Sequence, residues 1–431
     1  VALGAVAFSL FQGWFVAFLG ILGSFLTPAL TASPAPSVWA LFPYLIAVLA
    51  ASVAVMRYMG WWWMHRWLGL LASAFMLFCF VRTDHYGDIS LLTLGAFGVG
   101  MGFLARRDPA FDLALLISAS VTLGLFMTWH IGYLGTADSV LVDQITRYDA
   151  QRSPIIEPTL QRFRFAAVIF GALFGLGGYA ALWRVRRTAV WAAVSAIVPV
   201  SLFATAYWRF LGFDTDAHWA VVSVVLSRIY LAAAFSVMHR LEPSPAKYAL
   251  GLYASAVFAC ISLGMAMTLR DAWLTVALSL QLPVLAWIHN RLDLTALRYI
   301  AWVFCVIVFL RLLGNTSIFY YAHGSGFLIM WVLYGYGIPA IAFHQAAVTF
   351  ARSANDLLIA VLESGALIFF VLLVTFQIRY LVTGSIISVK YELTEQSLQS
   401  IAFGALFRVR HVRRGVSWMP VGWTSLLSSG A

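Results

Sequence analysis

The chain has 431 residues, of which 62% are hydrophobic and only 10% charged, with a formal net charge of +10. Soluble domains carry roughly 45–50% apolar and about 25% charged residues, so a soluble enzyme, a disordered chain and a disulfide-stapled secreted scaffold are excluded. The mean hydropathy of +0.89 agrees, and what remains is an all-α fold, a polytopic transmembrane helical bundle.

A crossing needs about 20 mostly apolar residues to traverse roughly 30 Å of hydrocarbon. Thirteen runs are predicted as spans, give or take two. They lie near 5–31, 36–56, 61–81, 90–105, 111–134, 164–183, 188–208, 217–238, 247–268, 272–288, 295–313, 325–350 and 356–381. A fourteenth, near 396–407, is too short to count. The runs at 90–105 and 272–288 are short as well, and the second contains Pro283. A break in either would favour transport, because broken helices aim backbone charge at a substrate. All these runs are continuous rather than alternating, which excludes a barrel.

Loop charge sets the orientation. The side holding the N-terminus carries twelve Lys and Arg against five acids, and the opposite side ten against eleven. The positive-inside rule therefore puts the N-terminus in the cytoplasm. The outer side has one long connection, residues 135–163, holding Asp138, Asp143, Asp149 and Glu157. Residues 1–407 read as a single membrane domain and 408–431 as a polar, basic tail. The arginines are scattered between apolar segments and form no stripe, so nucleic acid is not an expected partner. No short apolar stretch precedes a small-residue cleavage site, and the chain opens at Val1, so it is expected to be part of a longer product.

Cys79, Cys260 and Cys305 lie far apart inside apolar runs and read as small buried hydrophobes. Gly98 and Gly102, and Gly171 and Gly175, have GxxxG spacing. That spacing lets helix backbones approach closely in lipid, and in a chain with this many spans it marks contacts within one bundle more often than a dimer.

Ionisable and amide side chains at membrane depth are costly, and are functional candidates by default. Arg228 sits near the middle of its run with Ser223 and Ser227 nearby. Glu363 lies about two turns into the 356–381 run, His344 is deep in 325–350, and Gln281 precedes Pro283. If Arg228 and Glu363 converge, they form either a site for an anionic headgroup or proton-coupled substrate, or an ion pair locking helices together. A lipid-binding or transport protein should then show a polar cavity at mid-depth reaching Arg228. On the outer side, Asp84 and Asp88, or Asp214 and Asp216, could serve as paired carboxylates for chemistry on a lipid-linked substrate. Acids are also what outer loops ordinarily contain. The D-H-x-x-D stretch around His85 is too short to specify a metal, and a haem would want two facing histidines where only His344 is central. No cofactor or metal is expected.

Two stretches carry a family resemblance. GSFLTPALTASPAPSVWALFPYL runs from Gly23 to Leu45. FQIRYLVTGS, Phe376 to Ser385, is followed by LTEQSLQSIAF, Leu393 to Phe403. They resemble the G-F-x-T-P-x-L, W-A-L-F-x-Y-L, I-R-[HY]-L-x-x-G and E-x-x-L-x-S segments of the bacterial domain-of-unknown-function 2339 family. The resemblance covers most of residues 15–405 and implies a multi-span bacterial inner-membrane protein. It implies no activity and supplies no catalytic residue. Members usually continue past the E-x-x-L segment with further spans and a K-x-F-x-x-D motif, whereas residues 408–431 turn polar and basic. That departure reads as a truncated or frame-shifted end, or as part of a longer chain.

Three function classes follow. The leading one is a non-enzymatic protein that binds or moves an envelope lipid or similar amphiphile. An enzyme acting on a lipid-linked substrate at the outer face is the second. The third is a structural subunit of a membrane complex. Membrane lipids are the expected partners, with a membrane protein or a second copy of the chain as further candidates.

Overall fold

Runs rich in Leu, Val, Ala and Phe can satisfy their backbone inside lipid only as helices or closed barrels, and here they form helices. The computed structural model describes residues 14–30, 37–61, 87–129, 156–185, 187–212, 214–241, 243–269, 271–314, 330–352, 356–383 and 393–413, with scattered positions between 64 and 76. Among these residues there are thirteen α-helices and no strand.

The helices divide between two units, Val1–Thr268 and Leu269–Ala431. Unit 1 contains α1 (Trp14–Leu30), α2 (Val38–Met59), α3 (Asp88–Arg107), α4 (Asp112–Thr128), α5 (Ile156–Leu182), α6 (Thr188–Leu211), α7 (Ala217–Arg240) and α8 (Pro243–Thr268). Unit 2 contains α9 (Asp271–Leu292), α10 (Ala296–Gly314), α11 (Met330–Phe350), α12 (Leu357–Thr383) and α13 (Leu393–Arg413). Eight helices (α2, α3, α5 to α8, α10 and α12) are long and apolar enough to cross a membrane, and α1 and α4 are shorter apolar helices.

Twelve of the thirteen expected runs thus coincide with a helix, and the run at 61–81 falls largely outside the described residues. The stretch near 396–407 belongs to the longer, more polar α13. The two short runs are not broken. α3 is 20 residues without interruption, and α9 runs 22 residues through Pro283. Flanking residues of lower hydropathy complete both helices, so neither supplies the exposed backbone charge of a discontinuous span. The loop expected at 135–163 is shorter at its far end, because α5 already begins at Ile156.

In unit 1, α5 packs along α6, which also meets α4 and α8, and α8 lies along α7. Glycine spacing explains the first pair. A Cβ at Gly175 would lie 3.1 Å from Cγ of Pro199, and one at Gly178 would lie 3.0 Å from Cβ and 3.2 Å from Cα of Ser195. The α5 backbone therefore rests directly on α6. Gly98 of α3 does the same against the Phe174 ring, at 3.1 Å. The GxxxG positions accordingly work inside the bundle. An edge-to-face aromatic cluster joins α4, α5 and α6: Phe126 lies 5.3 Å from Phe163 and 5.6 Å from Phe170, and Phe163 lies 5.6 Å from Phe210.

Unit 2 is organised around α11, which packs on α9 and α12, while α10 and α13 flank α12. Phe309, Phe343 and Phe369 meet at centroid distances of 5.0–5.7 Å. Gly365 leaves them room, since a Cβ there would come within 2.8 Å of two of the rings. Arg298 pairs with Asp356, and the buried Glu395 of α13 lies 3.9 Å from Arg379 of α12.

Candidate functional site

A groove of about 790 Å³ lies between α5, α6 and α7 of unit 1, a size within the roughly 300–1,000 Å³ range of small-molecule sites. Its long walls are apolar, set by Val168, Leu176, Leu202, Phe203, Val222 and Leu226. Gly171 and Gly175 open the α5 side, because they place backbone where a side chain would otherwise fill the space. Along α5 the groove runs from Arg164 to Tyr179, about 22 Å at the helical rise. That exceeds the ~15 Å depth of one leaflet's hydrocarbon.

One end is cationic and aromatic. The Arg164 guanidinium stands 4.8 Å over the Phe210 ring, and Phe210 lies 5.7 Å from Trp219. Both Arg164 and His218 line this mouth and are exposed. Asp216 accounts for the helix that carries His218. It N-caps α7, its Oδ1 accepting from the His218 backbone N–H at 2.7 Å and the Trp219 N–H at 3.2 Å. Those bonds, the Trp219 one foremost, hold its carboxyl below the usual carboxylate range.

The inner wall of the groove carries a polar cluster around Ser195. Tyr253 of α8 donates to Ser195 Oγ at 3.1 Å, and Ser195 Oγ donates to Gly175 O at 2.8 Å. Tyr230 of α7 donates to Ser195 O at 3.4 Å. Ser195 thus ties α5, α6, α7 and α8 together, and the three side chains line the groove. An apolar slot with a cationic mouth and a satisfied polar cluster suits a ligand with a long apolar body and an anionic head.

Arg228 is elsewhere. It is exposed on the face of α7 that carries Val224, Val225 and Ile229, and it is not part of the groove. Ser223 and Ser227 are buried on the other side, where Ser223 donates to Cys260 O at 2.6 Å and Ser227 to Val224 O at 2.7 Å. The polar mid-depth cavity expected around Arg228 is not formed by these residues. Glu363 is half-buried in unit 2, Gln281 is buried in α9, and His344 is exposed on α11.

The acidic candidates have local partners. Asp88 begins α3 and pairs with Arg162 at 3.3 Å on the surface. The Asp214 carbonyl accepts from Tyr207 at 3.0 Å, and Asp216 is the cap already described. Asp84 lies outside the described residues, as does His85. Among the described residues no three His, Cys, Asp or Glu side chains gather as metal ligands would.

Arg164, Tyr230, Tyr253 and Ser195 belong to no motif and stand out only once the helices are placed side by side. The available signal was the small-residue spacing on α5, which marks where a groove can open.

No curated protein and no solved structure matches the chain. The model of the family described as predicted membrane protein (DUF2339) matches residues 1–430, so the chain belongs to that family.

Proposed function

We propose that this integral membrane protein binds an anionic envelope amphiphile, of the phospholipid type, in the groove between α5, α6 and α7. The observation that carries this reading is the groove itself: apolar walls about as long as an acyl chain, with Arg164 and His218 at the mouth. The headgroup would sit at the Arg164 end, at the depth of Trp219, where amphipathic aromatics favour the membrane interface. The chain would lie along Gly171 and Gly175 toward Tyr179. An enzyme on a lipid-linked substrate is less well supported, because Asp88 is in a surface ion pair and Asp216 is committed to capping a helix.

Native mass spectrometry of the full chain, released gently from membranes, tests the reading. Ala172 lines the groove and is exposed, so Ala172→Trp should fill the slot without entering the core. The wild type is expected to retain a lipid that Ala172→Trp loses, and Arg164→Ala should weaken retention about tenfold, the equivalent of roughly 1.4 kcal/mol. Undiminished retention in Ala172→Trp would overturn it.

Charge asymmetry of the loops supports a bacterial inner-membrane location with a cytoplasmic N-terminus. In that orientation the Arg164 mouth faces the outer leaflet. Single cysteines at Asp88 and Arg106, placed at opposite ends of α3, should then label differently. A membrane-impermeant maleimide added to intact cells should reach position 88 and not 106, and the reverse pattern inverts the orientation.

A further inference from the structure

A second groove, of about 670 Å³, opens on the opposite face of α5. Positions 164, 168, 171 and 175 line the first groove, and 173, 177 and 180 line the second. At 100° per residue these two sets are about half a turn apart around the helix. Gly98 and Gly102 of α3 and Gly177 of α5 all line this second space. A Cβ added at Gly177 would meet nothing within 4 Å, so the space beside it is open.

Its mouth lies at the other end of α5. Arg106 and Arg184 both line it and are both exposed. Among the described residues three neighbouring cations are already engaged: Arg187 pairs with Asp112 at 3.3 Å, Arg107 stands 4.4 Å over Phe103, and Arg240 lies 5.8 Å from the Trp183 ring centroid. No carboxylate pairs with Arg106 or Arg184 among the described residues. The half-buried Trp183 lines the same groove, and amphipathic aromatics of this kind favour headgroup level.

We infer that this groove holds one acyl chain of an anionic phospholipid, with its phosphate shared between Arg106 and Arg184. Guanidinium groups match phosphate oxygens in geometry and charge, and two of them favour a net negative headgroup over a zwitterionic one. The apolar walls select a lipid over a free phosphate ester, which could use only the exposed mouth. The site uses different side chains from the first groove apart from Tyr179, which lines both, so the two readings stand or fall separately.

The full chain, equilibrated in detergent with equal amounts of phosphatidylglycerol and phosphatidylcholine, provides the test by native mass spectrometry. The wild type should hold two lipids, of which Ala172→Trp loses one and Gly177→Trp the other. Arg106→Gln with Arg184→Gln should lower the phosphatidylglycerol preference of the second site about tenfold. Circular dichroism would establish that these surface variants fold. The inference is overturned if the double variant keeps its preference, if Gly177→Trp still holds both lipids, or if glycerol phosphate competes as well as lysophosphatidylglycerol does. Loss of the first site alone, in Ala172→Trp, bears only on the first groove.

Discussion

Arg379→Ala is expected to destabilise unit 2 by about 3–5 kcal/mol, the usual cost of leaving one member of a buried ion pair alone. Glu395 is 2% exposed, and its Oε1 lies 3.9 Å from Arg379 while accepting from Gln399 at 3.0 Å. Its other oxygen, Oε2, has no hydrogen-bond partner among the described residues. The carboxylate therefore depends heavily on the neighbouring cation. Removing the guanidinium leaves a buried charge at the junction of α12 and α13, and α13 should detach before the rest of the unit melts. Arg379→Met combined with Glu395→Leu removes both charges at similar volume and should recover most of the loss. Thermal unfolding in detergent, read by circular dichroism, checks both variants. An Arg379→Ala protein that melts with the wild type, or a double variant no better than the single one, would sink this account.

Gly178→Leu should be comparably damaging in unit 1. The atoms a Cβ would strike include the Cα and backbone N of Ser195, both at 3.2 Å, and backbone cannot swing aside as a side-chain tip can. α5 and α6 would have to separate, breaking the Ser195–Gly175 bond and with it the contacts of Tyr230 and Tyr253. Overpacking alone costs typically about 1–3 kcal/mol, and the lost hydrogen bonds add about 0.6 kcal/mol each in a membrane setting. Gly177→Leu is the control. It sits one residue away with open space beside it, and leucine should gain up to about 1 kcal/mol of helix propensity there. Equal behaviour of the two leucine variants would falsify the close-packing explanation.

Much of the fold was legible in the sequence because lipid leaves an apolar backbone so few options. Runs such as 188–208 and 217–238 could only be helices, and α6 and α7 follow them closely. The short runs at 90–105 and 272–288 misled by hydropathy alone: Asp88 and Arg107 lie within α3, and Pro283 does not stop α9. The grooves were much harder to see, because they depend on which faces of neighbouring helices meet. Arg228 illustrates the point. Five residues on from Ser223, at 100° per residue, it points about 140° away from it, so nearness in sequence put them on different sides of α7. The Arg379–Glu395 pair joins two motifs that carried the family resemblance, yet the motifs alone gave no sign that they meet.

The way unit 1 spends its hydroxyl groups bears on proton conduction. Ser52 donates to Val48 O at 2.7 Å, Thr93 to Ile89 O at 2.8 Å, Thr122 to Ser118 O at 2.9 Å and Ser255 to Gly251 O at 2.7 Å. Each of these hydrogens is turned back onto its own helix. A proton relay needs hydroxyls that hand a hydrogen to the next helix or to water, and each of these would first have to break a bond worth about 1 kcal/mol. These four hydroxyls can therefore lie in the hydrocarbon without acting as links of a relay, whereas those of Ser195, Ser223, Tyr230 and Tyr253 bond across to other helices and tie the bundle together.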